Sequence, residues 1–436
     1  KRQELGGPET AALTEPYLVG RLERARLLVR LYRFEVAAAE YERAAELARG
    51  DEGEEARARV MLELGNLYQS SLDQGERARD YAEKSRLLFA GLGEVVGETR
   101  ALALLGFIAT ENGDVSAAKA YHAEGLAKAE RYPAEPDAPA ARLDNLFGLA
   151  KAHWRERAYG ESLRISRAVL EELGEEGSPA LAARFLGSMA LSLLGMRRPD
   201  EALAAATAAL EKAKAAGDAR DLAAAHSNLG LVYRINGRLG IARVHFEEAL
   251  NLDVRLGYTP GISGDLRHLA AVAELEGRNA EALAYHERYL AGADEANPRT
   301  IMGYYDAARL ILADDPAKAA GYLERALRGA VSTGRPELLW RIYLERSRLA
   351  LARGDRSGAG EEFERALAVV LYDAPYSPLD AAHQGLFVSP KQLFTHGIRL
   401  LLESGEEAGG LELAEICRSV VAERQLAAAL IPWRDR

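Results

Sequence analysis

Cysteine is almost absent from the 436-residue sequence, in which Cys417 is the only example. A single thiol can form neither an intrachain disulfide nor a cysteine-based metal site, so a reducing, cytoplasmic location is expected. Proline is also scarce, with 15 residues, and aromatic residues make up 7% of the chain. Such a chain, poor in helix breakers and rich in Ala, Leu, Glu and Arg, is typical of helices packed through small side chains.

Long apolar runs and an excess of positive charge are missing as well. The longest apolar stretches, at 101–109 and 427–431, are much shorter than the roughly 20 residues of a membrane-spanning helix. The formal net charge is −10, and acidic and basic residues are interspersed. Broad nucleic-acid binding is disfavoured because it requires a positive surface. We therefore expect neither a membrane span nor a nucleic-acid partner, and the N-terminus does not resemble a signal peptide.

Residue types that serve catalysis or metal binding occur, but not in the required patterns. The eight histidines are scattered, and none stands in a His-Glu-x-x-His spacing. No glycine-rich segment ends in the Gly-Lys-Ser/Thr step of a phosphate-binding loop. Cys417 stands at a repeat position that faces a neighbouring helix, and His122 and His286 are expected to be packed or hydrogen-bonded. We predict that the chain is not an enzyme and has no catalytic residue, cofactor or metal ion.

A repeat of about 40 residues runs through the chain and is clearest in the segment 226–250. Its apolar spacing predicts two helices, because a 3.6-residue period places such positions on one face of each helix. Gly230 in the first helix and Ala242 in the second are small enough to let the two backbones approach closely. Phe246 would fill the space beside them, and Gly237 predicts a left-handed end to the first helix.

The positions of Gly230 and Ala242 can be followed through the chain. Both positions hold small residues with one exception, Ile398, and the two series run in step. This regularity predicts consecutive helix pairs of one kind. The first series is Ala25, Gly65, Gly106, Ala150, Ala190, Gly230, Ala270, Ala307, Ser347 and Ile398, and the second is Ala37, Ala78, Ala118, Ser162, Ala202, Ala242, Ala282, Ala319, Ala359 and Gly410.

The segment 226–233, which reads His-x-x-Leu-Gly-x-x-Tyr, and the Ala-x3-Phe step at 242–246 resemble the tetratricopeptide pattern, with His226 in place of the usual Trp. The period resembles a longer variety of this family, whose standard unit has about 34 residues. The resemblance implies an all-α, right-handed superhelical solenoid of about ten helix pairs. It also implies a scaffold or regulator that binds a partner protein.

Two stretches are expected to interrupt the array. Three prolines within 132–140 predict a rigid loop, and 371–388, which contains Pro375 and Pro378, predicts an insertion loop. The predicted organisation is a tail at 1–16, repeats one to three at 17–131, the Pro-rich loop at 132–140, repeats four to nine at 141–370, the insertion at 371–388, and a degenerate tenth repeat with a capping helix at 389–436.

The C-terminal segment 411–419 is similar to the helix that precedes caspase-like peptidase domains of the CHAT family in bacterial tetratricopeptide proteins. A second interpretation therefore stays open, in which the chain is the regulatory or sensor arm of a larger effector. That effector would be a CHAT-type peptidase or a signal-transduction ATPase with its catalytic domain outside this chain. A third possibility is a homo-oligomer that assembles through the end helices.

The first helices of the repeats are predicted to line a concave groove that receives a partner protein or an extended peptide. Their inward positions are rich in Arg and amide groups, which suit an acidic or extended peptide because they bind its carboxylates and backbone. Aromatic residues among them are expected to act as flat anchors. The predicted groove residues are Asn66, Arg100, Lys151, Trp154, Arg184, Asn228, Arg234, Arg267, His268, Tyr304, Tyr305 and Arg341.

Overall fold

The computed structural model describes residues 8–31, 33–48, 53–72, 74–291, 293, 295, 297–373, 390–403, 410–411 and 413–415, with side chains from Leu18 onward except at 372–373 and 390–392. This part of the chain is helical and contains no β-strand. The helices are α1 (Pro8–Arg30), α2 (Phe34–Leu47), α3 (Glu54–Ser70), α4 (Gly75–Leu92), α5 (Val95–Glu111), α6 (Val115–Arg131), α7 (Ala138–Arg155), α8 (Tyr159–Leu173), α9 (Pro179–Gly195), α10 (Pro199–Ala216), α11 (Ala219–Ile235), α12 (Leu239–Leu256), α13 (Thr259–Leu275), α14 (Asn279–Leu290), α15 (Pro298–Ile311), α16 (Pro316–Ser332), α17 (Pro336–Ala352), α18 (Arg356–Ala368) and α19 (Pro390–Glu403).

Local signals set many of the helix ends. Asp114, Asp218 and Asp355 precede α6, α11 and α18, and each side chain accepts a hydrogen bond from a backbone N–H of the first turn. An Asp before a helix satisfies donors that have no intrahelical acceptor. Gly237, which follows α11, has a φ of 72°. The predicted left-handed end of this helix is confirmed.

The chain divides into two compact parts, residues 1–272 and 273–436. In the N-terminal part, each even-numbered helix from α2 to α12 packs against the odd-numbered helix before it. Odd-numbered helices of successive pairs also touch, since α5 contacts α7, α7 contacts α9 and α9 contacts α11. The odd helices therefore form one layer of the array, which is the arrangement that the repeat predicted.

The C-terminal part repeats this packing with α15 against α16 and α17 against α18, while α15 also contacts α17. Helix α19 packs against α18. The core of the C-terminal part is more aromatic than that of the preceding repeats. Trp340, Phe363 and Phe394 are buried there in one cluster. Large side chains thus fill the space between α17, α18 and α19.

The two small-residue series lie where helices cross. Their alanine members in α1 to α18 all have exposed fractions of 0%. Gly230 shows the physical reason, because a β-carbon on it would lie 2.6 Å from Cε1 of Phe246. The predicted packing of His122 and His286 is also confirmed, since both side chains are buried. The all-α solenoid of helix pairs predicted from the sequence is therefore confirmed.

Some helix ends differ from the predicted segment boundaries, and some predicted segments lie outside the described residues. Helix α1 begins at Pro8, inside the stretch 1–16 that was predicted to be a tail. The link between α6 and α7 spans 132–137, and Pro139 belongs to the first turn of α7. Cys417, most of the insertion 371–388 and most of the capping helix lie outside the described residues. Among the described helices, none is both long and apolar enough to cross a bilayer.

Candidate binding face

Ion pairs connect neighbouring helices of the odd-numbered layer in the N-terminal part. Nζ of Lys151 on α7 lies 2.8 Å from Oε1 of Glu111 on α5. Nη1 of Arg184 on α9 lies 3.4 Å from Oδ1 of Asp144 on α7. Each pair joins residues that are 40 positions apart, which is one repeat. Two of the predicted groove cations therefore already have carboxylate partners within the array.

Arg184 is held in place by a second contact. Its guanidinium carbon lies 4.5 Å from the centroid of the Phe147 ring on α7, and a cation over an aromatic face is attracted by the ring quadrupole. Asp221, at the start of α11, faces the same guanidinium. Burial raises the pKa of Asp221, and the positive charge of Arg184 opposes that increase. Arg184 thus has acidic neighbours on both adjoining first helices.

Asn228 and Arg234 lie on α11, which is the next helix of the layer. The Asn228 amide is beside Gly187 of α9, where a β-carbon would lie 2.7 Å from Nδ2. Arg234 is half-buried, and its Nε is buried without a hydrogen-bond acceptor. Burial lowers the pKa of this guanidinium, and none of the described carboxylates forms an ion pair with it. Arg234 differs in this respect from Lys151 and Arg184.

The remaining predicted residues of the N-terminal part are dispersed. Asn66 on α3 is exposed, and Arg100 on α5 is exposed and paired with Asp137 at 3.0 Å. Trp154 on α7 and Arg267 on α13 are half-buried. The ring of His268 is stacked on Phe246 with centroids 4.9 Å apart. His268 therefore contributes to packing between α12 and α13.

In the C-terminal part, Tyr304 and Tyr305 each have an exposed fraction of 1%. Both were predicted to be flat anchors for a ligand, but in this structure both side chains are buried. Burial raises the pKa of both phenols, as expected for groups out of contact with water. Arg341 is also buried, and its guanidinium carbon lies 5.4 Å from the Trp340 ring centroid. The predicted groove surface is thus not present at these three positions.

The carboxylates that pair with the groove cations were not predicted from the sequence. Glu111 and Asp144 could have been found, because each stands one repeat before the cation that it binds. The buried pair Asp253 and Asp265 was not predicted either. These two residues are not one repeat apart, so their spacing does not indicate a contact. Among the described residues, no group of three or more His, Cys, Asp or Glu side chains is placed to hold a metal ion.

Comparisons with known proteins agree with this geometry. Residues 181–253, which include the clearest repeat, match the family model described as tetratricopeptide repeat. No curated protein matches the sequence. The apo form of the quorum sensor NprR from B. thuringiensis is similar in fold, with a TM-score of 0.52 and 14% identity, over 85% of this chain and 98% of that chain.

A signal transduction ATPase with numerous domains from Pyrococcus horikoshii, which has a tetratricopeptide repeat sensor, is also similar. The TM-score is 0.50 and the identity 16%, over 76% of this chain and 52% of that chain. At these identities the similarity concerns the fold alone. The repeat pattern, the packing of consecutive helix pairs and the family match lead to one conclusion. The chain folds as an all-α solenoid of tetratricopeptide-like helix pairs, and its residues 181–253 match the tetratricopeptide repeat itself.

Proposed function

We propose that this protein is a non-enzymatic interaction module that binds an extended, carboxylate-bearing segment of a partner protein along the odd-numbered helices of residues 1–272. The observation that carries the proposal is the state of Arg234. Its guanidinium is half-buried and has lost hydration, and no described carboxylate compensates for that loss. A ligand carboxylate would supply the missing partner.

The neighbouring groups fit this kind of ligand. Lys151 and Arg184 are neutralised by Glu111 and Asp144, so they attract a further anion less strongly than an unpaired cation does. Asn228 carries an amide that can bind a peptide backbone, since it offers both a donor and an acceptor. We therefore place the principal anionic contact at Arg234, and amide contacts at Asn228. The acidic character of the partner follows from this assignment.

Peptide selection followed by direct affinity measurement tests the proposal. Ligands selected from a random peptide library displayed on phage would be synthesised and titrated by calorimetry into the wild type, Arg234→Ala and Arg234→Lys. We expect Arg234→Ala to weaken binding by at least about tenfold, because a desolvated charge pair loses one partner. Arg234→Lys should retain part of the affinity.

Arg167→Ala is the matched control, because Arg167 is exposed on α8, in the other helix layer. This variant should bind the selected peptides as the wild type does. Selection that yields no binding peptide would count against the proposal. Equal affinities of wild type and Arg234→Ala would remove Arg234 from the site.

A second candidate function is the sensor arm of a larger effector. It is supported by the similarity to the Pyrococcus horikoshii ATPase, because this chain spans only about half of that protein's length. In this case the peptide-binding face would control a catalytic domain elsewhere in the polypeptide. The mass of the native polypeptide, captured with an antibody to the array, distinguishes the two. A mass near 47.4 kDa supports a free-standing module, and a much larger mass supports a sensor arm.

A further inference from the structure

A contact between distant repeats closes the N-terminal part of the chain on itself. Oγ1 of Thr259, at the start of α13, donates a hydrogen bond to the backbone oxygen of Ser71 at 3.0 Å, across 188 positions of sequence. Next to it, a β-carbon on Gly257 would lie 2.7 Å from Cε2 of Phe34. The end of α12 and the start of α13 therefore meet the first and second helix pairs. We refer to Phe34, Ser71, Gly257 and Thr259 as the closing contact.

The closing contact requires glycine at position 257 for two reasons. Gly257 has a φ of 59°, a left-handed conformation that a side chain disfavours. The ring of Phe34 also occupies the space into which a side chain would extend. The turn between α12 and α13 is thus shaped to receive Phe34, and it is more than a connection between two helices.

Two buried carboxyl groups lie under the same turn. Asp253 on α12 and Asp265 on α13 have exposed fractions of 5% and 2%, and a hydrogen bond joins their side chains. Such a bond requires a proton on one of them, since two carboxylates have only acceptors. The hydroxyl of Ser227 on α11 donates to Oδ1 of Asp265 at 2.9 Å. Oδ1 of Asp253 and Oδ2 of Asp265 are buried and have no hydrogen-bond partner.

The charges facing this pair come from three helices. Burial raises the pKa of Asp253 to about 7, and Arg220 on α11 opposes that increase. Burial and the neighbouring Asp253 raise the pKa of Asp265 to about 8, against the hydrogen bond from Ser227. Arg220 is itself held over the ring of Tyr258, 4.2 Å from its centroid. The pair therefore changes its protonation near neutral pH.

The turn that carries Thr259 is built directly on Asp253. The backbone N–H of Tyr258 donates to the backbone oxygen of Asp253 at 2.9 Å. The carboxyl group of Asp253 also fills the space beside Gly261, so a β-carbon there would overlap it. A change in the separation of Asp253 and Asp265 must therefore move the first turn of α13, and Thr259 with it.

We infer that the closing contact is a proton-dependent latch, which is closed while Asp253 and Asp265 share a proton and opens when both carboxyl groups are ionised. Two carboxylates at hydrogen-bonding distance repel each other strongly in a buried site. Their separation pulls α13 away from α12 and withdraws Thr259 from Ser71. The inference does not depend on the ligand of the binding face.

The direction of the pH effect follows from the raised pKa values of both acids. The closed form binds protons more tightly than a form in which the carboxyl groups are hydrated, with pKa values near 3.8. Its advantage is therefore complete only below about pH 3.8, falls as the pH rises above that value, and is lost once the pH has passed about 7 to 8. The latch should be closed in mildly acidic solution and open in mildly alkaline solution.

Distances between spin labels at Glu76→Cys and Gly264→Cys, in a Cys417→Ser background, test the latch. Glu76 is exposed, and the space around Gly264 is open. From about pH 5.5 to about pH 9, we expect a narrow short-distance population to fall at least about threefold and a longer, broader one to replace it. Thr259→Val, which removes the donor, should show the broad population throughout.

Asp253→Asn should keep the short population across the whole pH range, because an amide can donate to Asp265 without a titrating proton. Asp265→Asn serves as the second test if Asp253→Asn does not fold. The matched control is Asp221→Asn, which changes a half-buried carboxyl group on α11 and should retain the pH dependence. A distance that does not change with pH, or an unchanged response in both Asn variants, would overturn the inference.

Discussion

The imidazole of His122 on α6 occupies the space next to Gly148 on α7, so that a β-carbon on Gly148 would overlap the ring. Gly106 on α5 also lies against this ring. Nδ1 of His122 is 3.3 Å from Oδ1 of Asn145, whose Nδ2 donates to the backbone oxygen of Ala141 at 2.9 Å. The histidine is thus a polar wedge packed against two glycines, held by one amide.

We predict that Gly148→Ala lowers the free energy of unfolding by roughly 2 kcal/mol, because inserting a methyl group into a filled core forces the surrounding side chains out of place. This loss should occur although alanine favours a helix interior over glycine. Urea denaturation followed by circular dichroism measures it. Gly20→Ala is the control, since Gly20 lies within α1 with open space around it. That change should be neutral or stabilising by about 0.5 to 1 kcal/mol.

His122 also predicts a dependence of stability on pH. Burial lowers its pKa from 6.5 to about 4. The unfolded chain therefore binds a proton at a pH at which the folded chain does not. The contribution of His122 to the free energy of unfolding is therefore fully present above about pH 6.5 and is lost as the pH falls to about 4. The loss is on the order of 3 kcal/mol.

The variant His122→Phe isolates this effect, because phenylalanine occupies the equivalent position beside Gly230. Unfolding midpoints would be measured for both proteins between about pH 4 and about pH 7. The difference between wild type and variant should shrink or reverse as the pH falls. A difference that stays constant would show that His122 does not titrate on unfolding.

Replacement of Glu40 on α2 is predicted to lower the stability of the protein strongly. Its side chain is buried, and one carboxylate oxygen lies 2.6 Å from Nη1 of Arg21 on α1. Replacement by alanine leaves the guanidinium without its partner, so Glu40→Ala should destabilise the protein by roughly 3 kcal/mol. The exposed pair of Glu23 and Arg26 at 3.1 Å provides the comparison. Glu23→Ala should change the free energy of unfolding by less than about 0.5 kcal/mol.

Self-assembly through an end helix makes a separate prediction. Leu27 on α1 and Leu31, directly after its end, have exposed fractions of 51% and 57%. If these residues join copies of the chain, the mass measured by light scattering should rise with protein concentration. The double variant Leu27→Glu and Leu31→Glu should then remain at the monomer mass. A wild type with constant mass at all concentrations would exclude this mode of assembly.

Much of the fold could be predicted because the repeat is a local signal. Ala190 and Ala202 mark a crossing of α9 and α10, and both are fully buried as their positions required. Close helix packing excludes large side chains at such crossings, so the composition of two positions records the geometry. The ion pair between Glu111 and Lys151 also has a signal in the sequence, because the two residues carry opposite charges and stand one repeat apart.

The ends and crossings of the helices could be predicted from the residues alone, because they depend on caps, periodicity and side-chain volume within one repeat. Which polar and aromatic side chains reach the surface depends instead on how the repeats pack against one another. Tyr305 was expected at the surface and is buried, since neighbouring helices cover it. Likewise, the contact of Thr259 with Ser71 joins residues that are 188 positions apart, so it depends on the geometry of every repeat between them and cannot be predicted from any one repeat.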